Sequence, residues 1–149
     1  MKKLNLKNQK GITIVVLIIT LIVLGILAGV AITNVDIGTD VRSYNYMCAD
    51  IELIENKLKV YYNKYDKLPI KGAVITEAKE TLGGQATSRD NDNYYEIDLN
   101  ELHGMTLNFG GGTNENKDIY IVNEQSLEVY YLKGVVYEGN TYYKKVINN

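Results

Sequence analysis

The feature that most constrains this chain is an apolar run over residues 12–32, which contains only Ile, Val, Leu, Ala, Gly and Thr. At roughly 1.5 Å per residue, a helix of this length measures about 31 Å, close to the roughly 30 Å hydrocarbon core of a bilayer. Thr13 and Thr20 can donate hydrogen bonds back to the helix backbone, so they are compatible with lipid. The run predicts one membrane-spanning helix and argues against a soluble cytosolic enzyme.

The charges on the two sides of the run differ in sign. Four lysines precede it, and two aspartates follow it before the first arginine (Lys2, Lys3, Lys7 and Lys10; Asp36 and Asp40; Arg42). Under the positive-inside rule, the N-terminus then lies in the cytoplasm and everything after the run lies outside the cell membrane. A cleaved secretory signal peptide is the alternative, since Gly29 and Ala31 suit a small-residue cleavage site, although the run is longer than an ordinary signal-peptide core.

The basic stretch ends in Lys10-Gly11, and the apolar run begins at once with Ile12-Thr13-Ile14. This arrangement resembles the leader of type IV pilins and of the pseudopilins of type II secretion systems. The resemblance implies that a prepilin peptidase cuts on the cytoplasmic side between Gly11 and Ile12 and that the new amine of Ile12 is methylated. It also implies that the hydrophobic helix stays on the mature protein and joins other pilin-like subunits, on an inner-membrane platform driven by a cytoplasmic ATPase.

Val16 is the residue at which the chain departs from that family. The family usually has Glu as the fifth residue after the cut, where its carboxylate is thought to pair with the terminal amine of a neighbouring subunit. The side chain of Val16 cannot form that pair. Minor and tip subunits can lack the Glu, so Val16 favours a minor subunit over a principal one.

Gly25 and Gly29 form a G-x-x-x-G pair inside the apolar run. Such a pair lets two helix backbones approach closely, which predicts helix–helix packing at these residues in the membrane or in a filament core. The alternative is that the two glycines reflect the ordinary frequency of Gly in membrane helices.

The remainder of the chain predicts an α+β fold, with an amphipathic helix over residues 33–69 and an antiparallel β domain over residues 70–149. Apolar residues recur at helical spacing along one face, Asp50 is assigned to the solvent side, and the helix is expected to end near Asp66 because Pro69 follows. The helix either continues the membrane span or is hinged at Gly38. The predicted core face comprises Val41, Tyr44, Cys48, Ile51, Leu58, Tyr62 and Tyr65, with Ile54 and Tyr61 flanking it.

Beyond residue 93 the period of the pattern changes to two. Segments rich in Tyr, Ile and Val predict strands over residues 94–99, 118–123, 127–133 and 141–147. Residues 123–126 and 138–140 are typical of hairpin connections, and a short helix is expected over residues 76–82. Because neighbouring side chains on a strand point to opposite faces, one member of each tyrosine pair, such as Tyr130-Tyr131, is expected inside and one outside.

The residues that could carry chemistry are few. Cys48 is expected to be a buried structural thiol, and a single Cys with a single His, His103, makes neither a zinc site nor a triad, so no catalytic residue and no cofactor are predicted. The oxygen donors of residues 89–93, among them Asp90 and Asp92, could hold calcium, as a loop does in some pseudopilins, or form a solvated turn. Without the leader, 12 basic and 18 acidic residues remain, a net charge of −6 that argues against a broad nucleic-acid surface.

The sequence therefore predicts a pilin-like structural subunit processed at Gly11, as part of a surface pilus, a secretion pseudopilus or a DNA-uptake system. The second hypothesis is a surface binding protein with an uncleaved single-pass anchor. A membrane-tethered enzyme is disfavoured because no catalytic residues cluster.

Overall fold

The computed structural model describes residues 7–86 and 91–146, with side-chain surroundings for residues 14–26 and from residue 40 onward. The chain divides into two compact units, Met1–Thr39 and Asp40–Asn149, and each is described by itself. The first helix, α1, covers Lys7–Tyr65. Two arrangements were predicted, one helix that continues the membrane span or two helices hinged at Gly38. Gly38 is assigned as helical, so the structure has one helical element.

Helix α1 ends where the sequence predicts. Asp66 takes a left-handed conformation with φ of 52°, and its N–H donates to the carbonyl of Tyr62 at 2.8 Å. Pro69 then starts the extended chain, because it disfavours a helical conformation at the residue before it. Within the described part of the chain, no helix combines the length and hydropathy that a membrane crossing requires.

The second unit has the predicted α+β architecture, a helix followed by a small antiparallel sheet. Four strands form a sheet in the order β1-β2-β3-β4, and two more form a separate hairpin, β5-β6. Between β1 and β2 lie a short helix, α2, and a 3-10 turn over Gly83–Gln85, and a second 3-10 turn covers Asn114–Asn116. The bounds are Ile70–Val74 for β1, Ala78–Leu82 for α2, Tyr94–Ile97 for β2, Tyr120–Asn123 for β3, Val129–Tyr131 for β4, Val135–Tyr137 for β5 and Asn140–Tyr142 for β6.

Strands β1 and β5 were not expected from the sequence. Strand β1 pairs with β2 only at Ile70 and Val74, and the register shifts between these two residues, where Gly72 has φ of 55°. An irregular edge strand of this kind shows little alternation of buried and exposed residues, so it is hard to predict from the sequence. The hairpin predicted at residues 138–140 is present, and it joins β5 to β6 with Tyr137 opposite Asn140.

Both faces of the sheet are buried at β3 and β4, whereas most of the edge strand β1 is exposed. Alternate side chains of β3 and β4 pack on opposite sides, with Tyr120 and Tyr131 facing α1 and Tyr130 facing α2. The expectation of one inward and one outward tyrosine is therefore wrong for Tyr130 and Tyr131, which are both buried. The alternation itself holds, but α2 and the segment around Ile75 cover the face that the sequence analysis left to solvent.

The face of α1 that packs on the sheet is shorter than predicted and contains an acidic residue. Its buried residues run only from Met47 to Leu58, whereas Tyr62 and Tyr65 are exposed. Asp50, which the sequence analysis assigned to solvent, is 2% exposed. It lies three residues after Met47 and four before Ile54, which places it on the core face of a 3.6-residue helix.

Candidate assembly surface

The apolar segment of α1, residues 14–26, is uncovered along its whole described length. Its eleven large apolar side chains, all Ile, Val or Leu, have exposed fractions that run from 48% at Val23 to 62% at Ile26. Each of these side chains is only half covered, by its neighbours on the same helix. A surface of this kind is adapted to an apolar environment and not to water.

The size of this surface determines how much free energy its burial would contribute. Complete burial of one Val, Leu or Ile side chain stabilises by roughly 1.5–3 kcal/mol, so burying the exposed half of one contributes about 1 kcal/mol. Over the eleven side chains of residues 14–26, the sum is on the order of 10 kcal/mol. That is comparable with the entire stability of an ordinary domain.

The residues singled out by the sequence lie on α1, but only some have described surroundings. Thr20 donates its hydroxyl to the carbonyl of Leu17 at 2.8 Å, as predicted. A Cβ added at Gly25 would meet no heavy atom within 4 Å, so this point of the helix is open to a close partner. Gly11 and Ile12 are helical, and Gly29 is helical too, but the side-chain surroundings at these positions lie outside the described residues.

Asp50 is the centre of the hydrogen-bond network that, within the second unit, ties α1 to the β2–β3 loop and to β3. Its Oδ2 accepts from the N–H of Asn108 at 2.8 Å, the N–H of Phe109 at 3.0 Å and the hydroxyl of Tyr120 at 2.8 Å. Its Oδ1 accepts from Nδ2 of Asn108 at 2.9 Å. Four donors thus satisfy a buried carboxylate that has no ion pair within the described residues. Burial and the bond to Asp50 raise the pKa of Tyr120 far above its ordinary value.

A second carboxylate, Asp118, holds the other part of the same loop. Its Oδ1 accepts from the N–H of Gly110 at 2.9 Å and from the hydroxyl of Tyr131 at 2.7 Å. Burial alone would raise the pKa of the Asp118 carboxyl, but these two hydrogen bonds and the charge of Lys133 outweigh it and hold that pKa below its usual value. The N–H groups of residues 108, 109 and 110 are therefore all bound by carboxylates.

These contacts fix the β2–β3 loop, residues 98–119, against α1. Two further bonds extend the attachment along the helix: Nζ of Lys57 donates to the carbonyl of His103 at 3.1 Å, and the hydroxyl of Tyr61 donates to Glu101 at 3.2 Å. This network was not predicted, because Asp50 was assigned to the solvent side of α1. The detectable signal was the helical spacing of Asp50 with its apolar neighbours.

The remaining candidate residues do not come together. Cys48 is half-buried, and burial raises the pKa of its thiol, which opposes a nucleophilic role. His103 is exposed in the β2–β3 loop and lies far along the chain from Cys48, the only cysteine in the sequence. Asp92 is buried and accepts from Nδ2 of Asn123 at 2.9 Å, whereas Arg89 and Asp90 lie outside the described residues. Over residues 7–86 and 91–146, no three His, Cys, Asp or Glu side chains are grouped to hold a metal ion.

Comparison of the chain with protein-family models, with curated proteins and with solved structures finds no match. Its function therefore has to be inferred from its own residues. Those with the clearest physical meaning are the Lys10-Gly11 junction, the uncovered apolar segment and the polar network centred on Asp50.

Proposed function

We propose that the chain is a pilin-like structural subunit of a type IV pilus or of a type II secretion-type pseudopilus. A prepilin peptidase cleaves it after Gly11, and the amine of Ile12 is methylated. Residues 12–32 then hold it in the cell membrane, with its outer domain outside the cell, until it joins a filament. The observation that carries the proposal is an uncovered apolar helix surface, residues 14–26, directly preceded by a lysine-rich leader ending in Gly11.

The same helix surface serves both states of such a subunit. Before assembly, lipid covers the side chains of residues 14–26; after assembly, the corresponding helices of other subunits cover them. Because neither state exposes them to water, transfer does not incur the cost of about 10 kcal/mol that exposure would carry. The work of extraction then comes from an assembly platform and its cytoplasmic ATPase, not from this chain.

Val16 bears on whether the chain is a principal or a minor subunit. It stands where a self-sufficient filament subunit would carry a carboxylate, and its side chain is exposed and apolar. A neighbour's terminal amine finds no counter-charge there. We therefore infer a minor subunit that is recruited by others.

The test is the N-terminal residue of the mature protein. The full chain is produced in membranes with a prepilin peptidase, and its intact mass and N-terminal sequence are compared with those of two variants, Gly11→Leu and Gly29→Leu. We expect the unaltered chain and Gly29→Leu to begin at Ile12 with a methylated amine, and Gly11→Leu to retain residues 1–11.

Each other outcome points to a specific alternative. A mature chain that begins near Thr33, with processing blocked by Gly29→Leu, would identify an ordinary signal peptide and overturn the proposal. A chain that retains Met1 in all three forms would favour the surface binding protein with an uncleaved anchor.

A further inference from the structure

A cleft of about 770 Å³ lies between the β2–β3 loop and strand β5, and we call it the β5 cleft. Its size is within the range of roughly 300–1,000 Å³ that ligand sites occupy. The loop lines one side with apolar side chains, and the chain at β5 lines the other (Met105, Leu107 and Phe109; Gly134, Val135 and Val136). The lining contains no residue of Asn140–Tyr142, the whole of β6, so the cleft follows the outer edge of the hairpin.

The register of the β5–β6 hairpin shows where the backbone groups of β5 point. Tyr137 and Asn140 flank a two-residue turn, and such a flanking pair exchanges both of its backbone hydrogen bonds. Bonded and non-bonded pairs alternate along an antiparallel ladder, so Val136 and Thr141 form a non-bonded pair. The N–H and C=O of Val136 therefore point away from β6, toward the edge that borders the cleft. Within residues 7–86 and 91–146, neither group has a hydrogen-bond partner elsewhere in the chain.

The edge of β5 lacks the features that usually protect a strand edge. A free edge can pair with another strand, and proteins commonly prevent this with charges or bulges. Strand β1 is protected in this way, because it carries Lys71 and its register shifts around Gly72. Strand β5, Val135–Tyr137, contains only Val and Tyr and pairs in continuous register. Since these residues favour strands, β5 offers an unprotected edge beside an apolar cleft.

The charged side chains that line the cleft indicate the charge of its ligand. They are Asp40, Asp118 and Lys133. The charge of Lys133 already acts on Asp118, whose carboxylate accepts two hydrogen bonds. Asp40 forms no ion pair within the described residues. This balance disfavours a polyanion such as a nucleic acid and suits a ligand with a basic group beside an apolar part.

We propose that the β5 cleft binds an extended peptide segment of a partner protein, which adds a strand to the edge of β5. Main-chain hydrogen bonds to Val136 hold the segment, and its alternate side chains pack on the apolar side of the β2–β3 loop. A basic residue of the segment lies near Asp40. The cleft belongs to the second unit, Asp40–Asn149, and does not depend on cleavage after Gly11. The peptide site and the pilin-like assignment can therefore fail separately.

Peptide binding to the full chain in detergent micelles tests the site. The probe is the fluorescein-labelled, amidated peptide Lys-Lys-Thr-Val-Thr-Ile-Thr, and its binding is followed by fluorescence polarisation. Val136→Pro removes the N–H that faces the cleft, and Thr141→Pro is the matched control because its N–H faces the other edge of the hairpin. Pro is compatible with both positions, since neither N–H is bonded within the ladder. We expect Val136→Pro to weaken binding about tenfold and Thr141→Pro to change it less than about twofold.

Methylation of the peptide backbone tests the same bonds without altering the protein, so the test stands even when Val136→Pro fails to fold. Successive residues of an added strand direct their N–H groups alternately toward β5 and away from it. Two probes are compared, one methylated on the backbone nitrogen of its Val and one on that of the Thr that follows. We expect one of them to bind about tenfold more weakly and the other to bind like the unmodified peptide. Equal effects of the two methylations, equal effects of the two proline variants, or no saturable binding of the unmodified peptide would overturn the proposal.

Discussion

Substitution of Asp50 by alanine tests whether the buried carboxylate holds the second unit, Asp40–Asn149, together. The change leaves four donors without their acceptor: the N–H of Asn108, the N–H of Phe109, Nδ2 of Asn108 and the hydroxyl of Tyr120. A buried donor without a partner costs about 1–3 kcal/mol, and one that water can reach costs well below that. Only the bond from Tyr120 is fully buried. We therefore expect Asp50→Ala to lower the free energy of unfolding by about 2–4 kcal/mol.

The measurement is urea unfolding of the full chain in detergent micelles, followed by the near-ultraviolet circular dichroism of its tyrosines. Glu52→Ala is the control, because Glu52 is an exposed acid on the same helix, and its effect is expected within about 0.5 kcal/mol. A double-mutant cycle adds Tyr120→Phe, which removes the buried hydroxyl. In the Asp50→Ala background this second change should cost about 1–2 kcal/mol less than it does in the unaltered chain. A loss below 1 kcal/mol for Asp50→Ala, or additivity in the cycle, would refute the reasoning.

Two further predictions concern the neighbouring β2–β3 loop. Gly110→Ala is expected to destabilise by about 1–3 kcal/mol in the same urea assay, because Gly110 has φ of 84° and an added Cβ would lie 2.6 Å from the Tyr120 ring, whereas Gly84→Ala enters open space and should change stability by less than about 0.5 kcal/mol. Tyr131→Phe removes a hydrogen bond that lowers the pKa of Asp118 and should raise that pKa in a ¹³C titration. A carboxyl group whose pKa is lowered by folding stabilises the folded protein fully only at pH values above its ordinary pKa of about 3.9. The part of the stability loss of Tyr131→Phe that comes from Asp118 should therefore be present at neutral pH and fade as the pH falls through the folded pKa of Asp118. Equal losses at neutral and acid pH would contradict this assignment.

Much of the fold follows from local pattern and turn chemistry. The end of α1 at Tyr65 and the position of the β5–β6 hairpin were both predictable, because Pro69 and the Glu138-Gly139 turn act on their immediate neighbours. Strands β2, β3 and β4 were predicted as strands, although each covers fewer residues than the segment predicted for it. Strand β1 was not, since its pairing depends on β2 and is interrupted at Gly72.

The candidate site divides in the same way. The apolar segment could be recognised from the sequence because it depends on composition alone, over residues next to one another. The Asp50 network could not, because its donors come from residues 108, 109 and 120, far along the chain. When every charged residue is assigned to solvent, Asp50 is placed on the wrong face of α1, although its spacing with Met47 and Ile54 is that of a residue on the core face.

Asp50 also bears on how α1 is set on the sheet. The apolar contacts of Met47, Ile51, Ile54 and Leu58 are non-directional, so they alone would tolerate a modest rotation of the helix on the sheet. The four hydrogen bonds to Asp50 are directional and join the helix to a loop and to β3, so rotation would break them together. We infer that the buried carboxylate fixes the rotational setting of α1, in the way that a single buried polar group fixes register in helical assemblies. The two kinds of contact therefore have different roles: the apolar side chains hold α1 on the sheet, and the hydrogen bonds to Asp50 determine which residues of the helix face it.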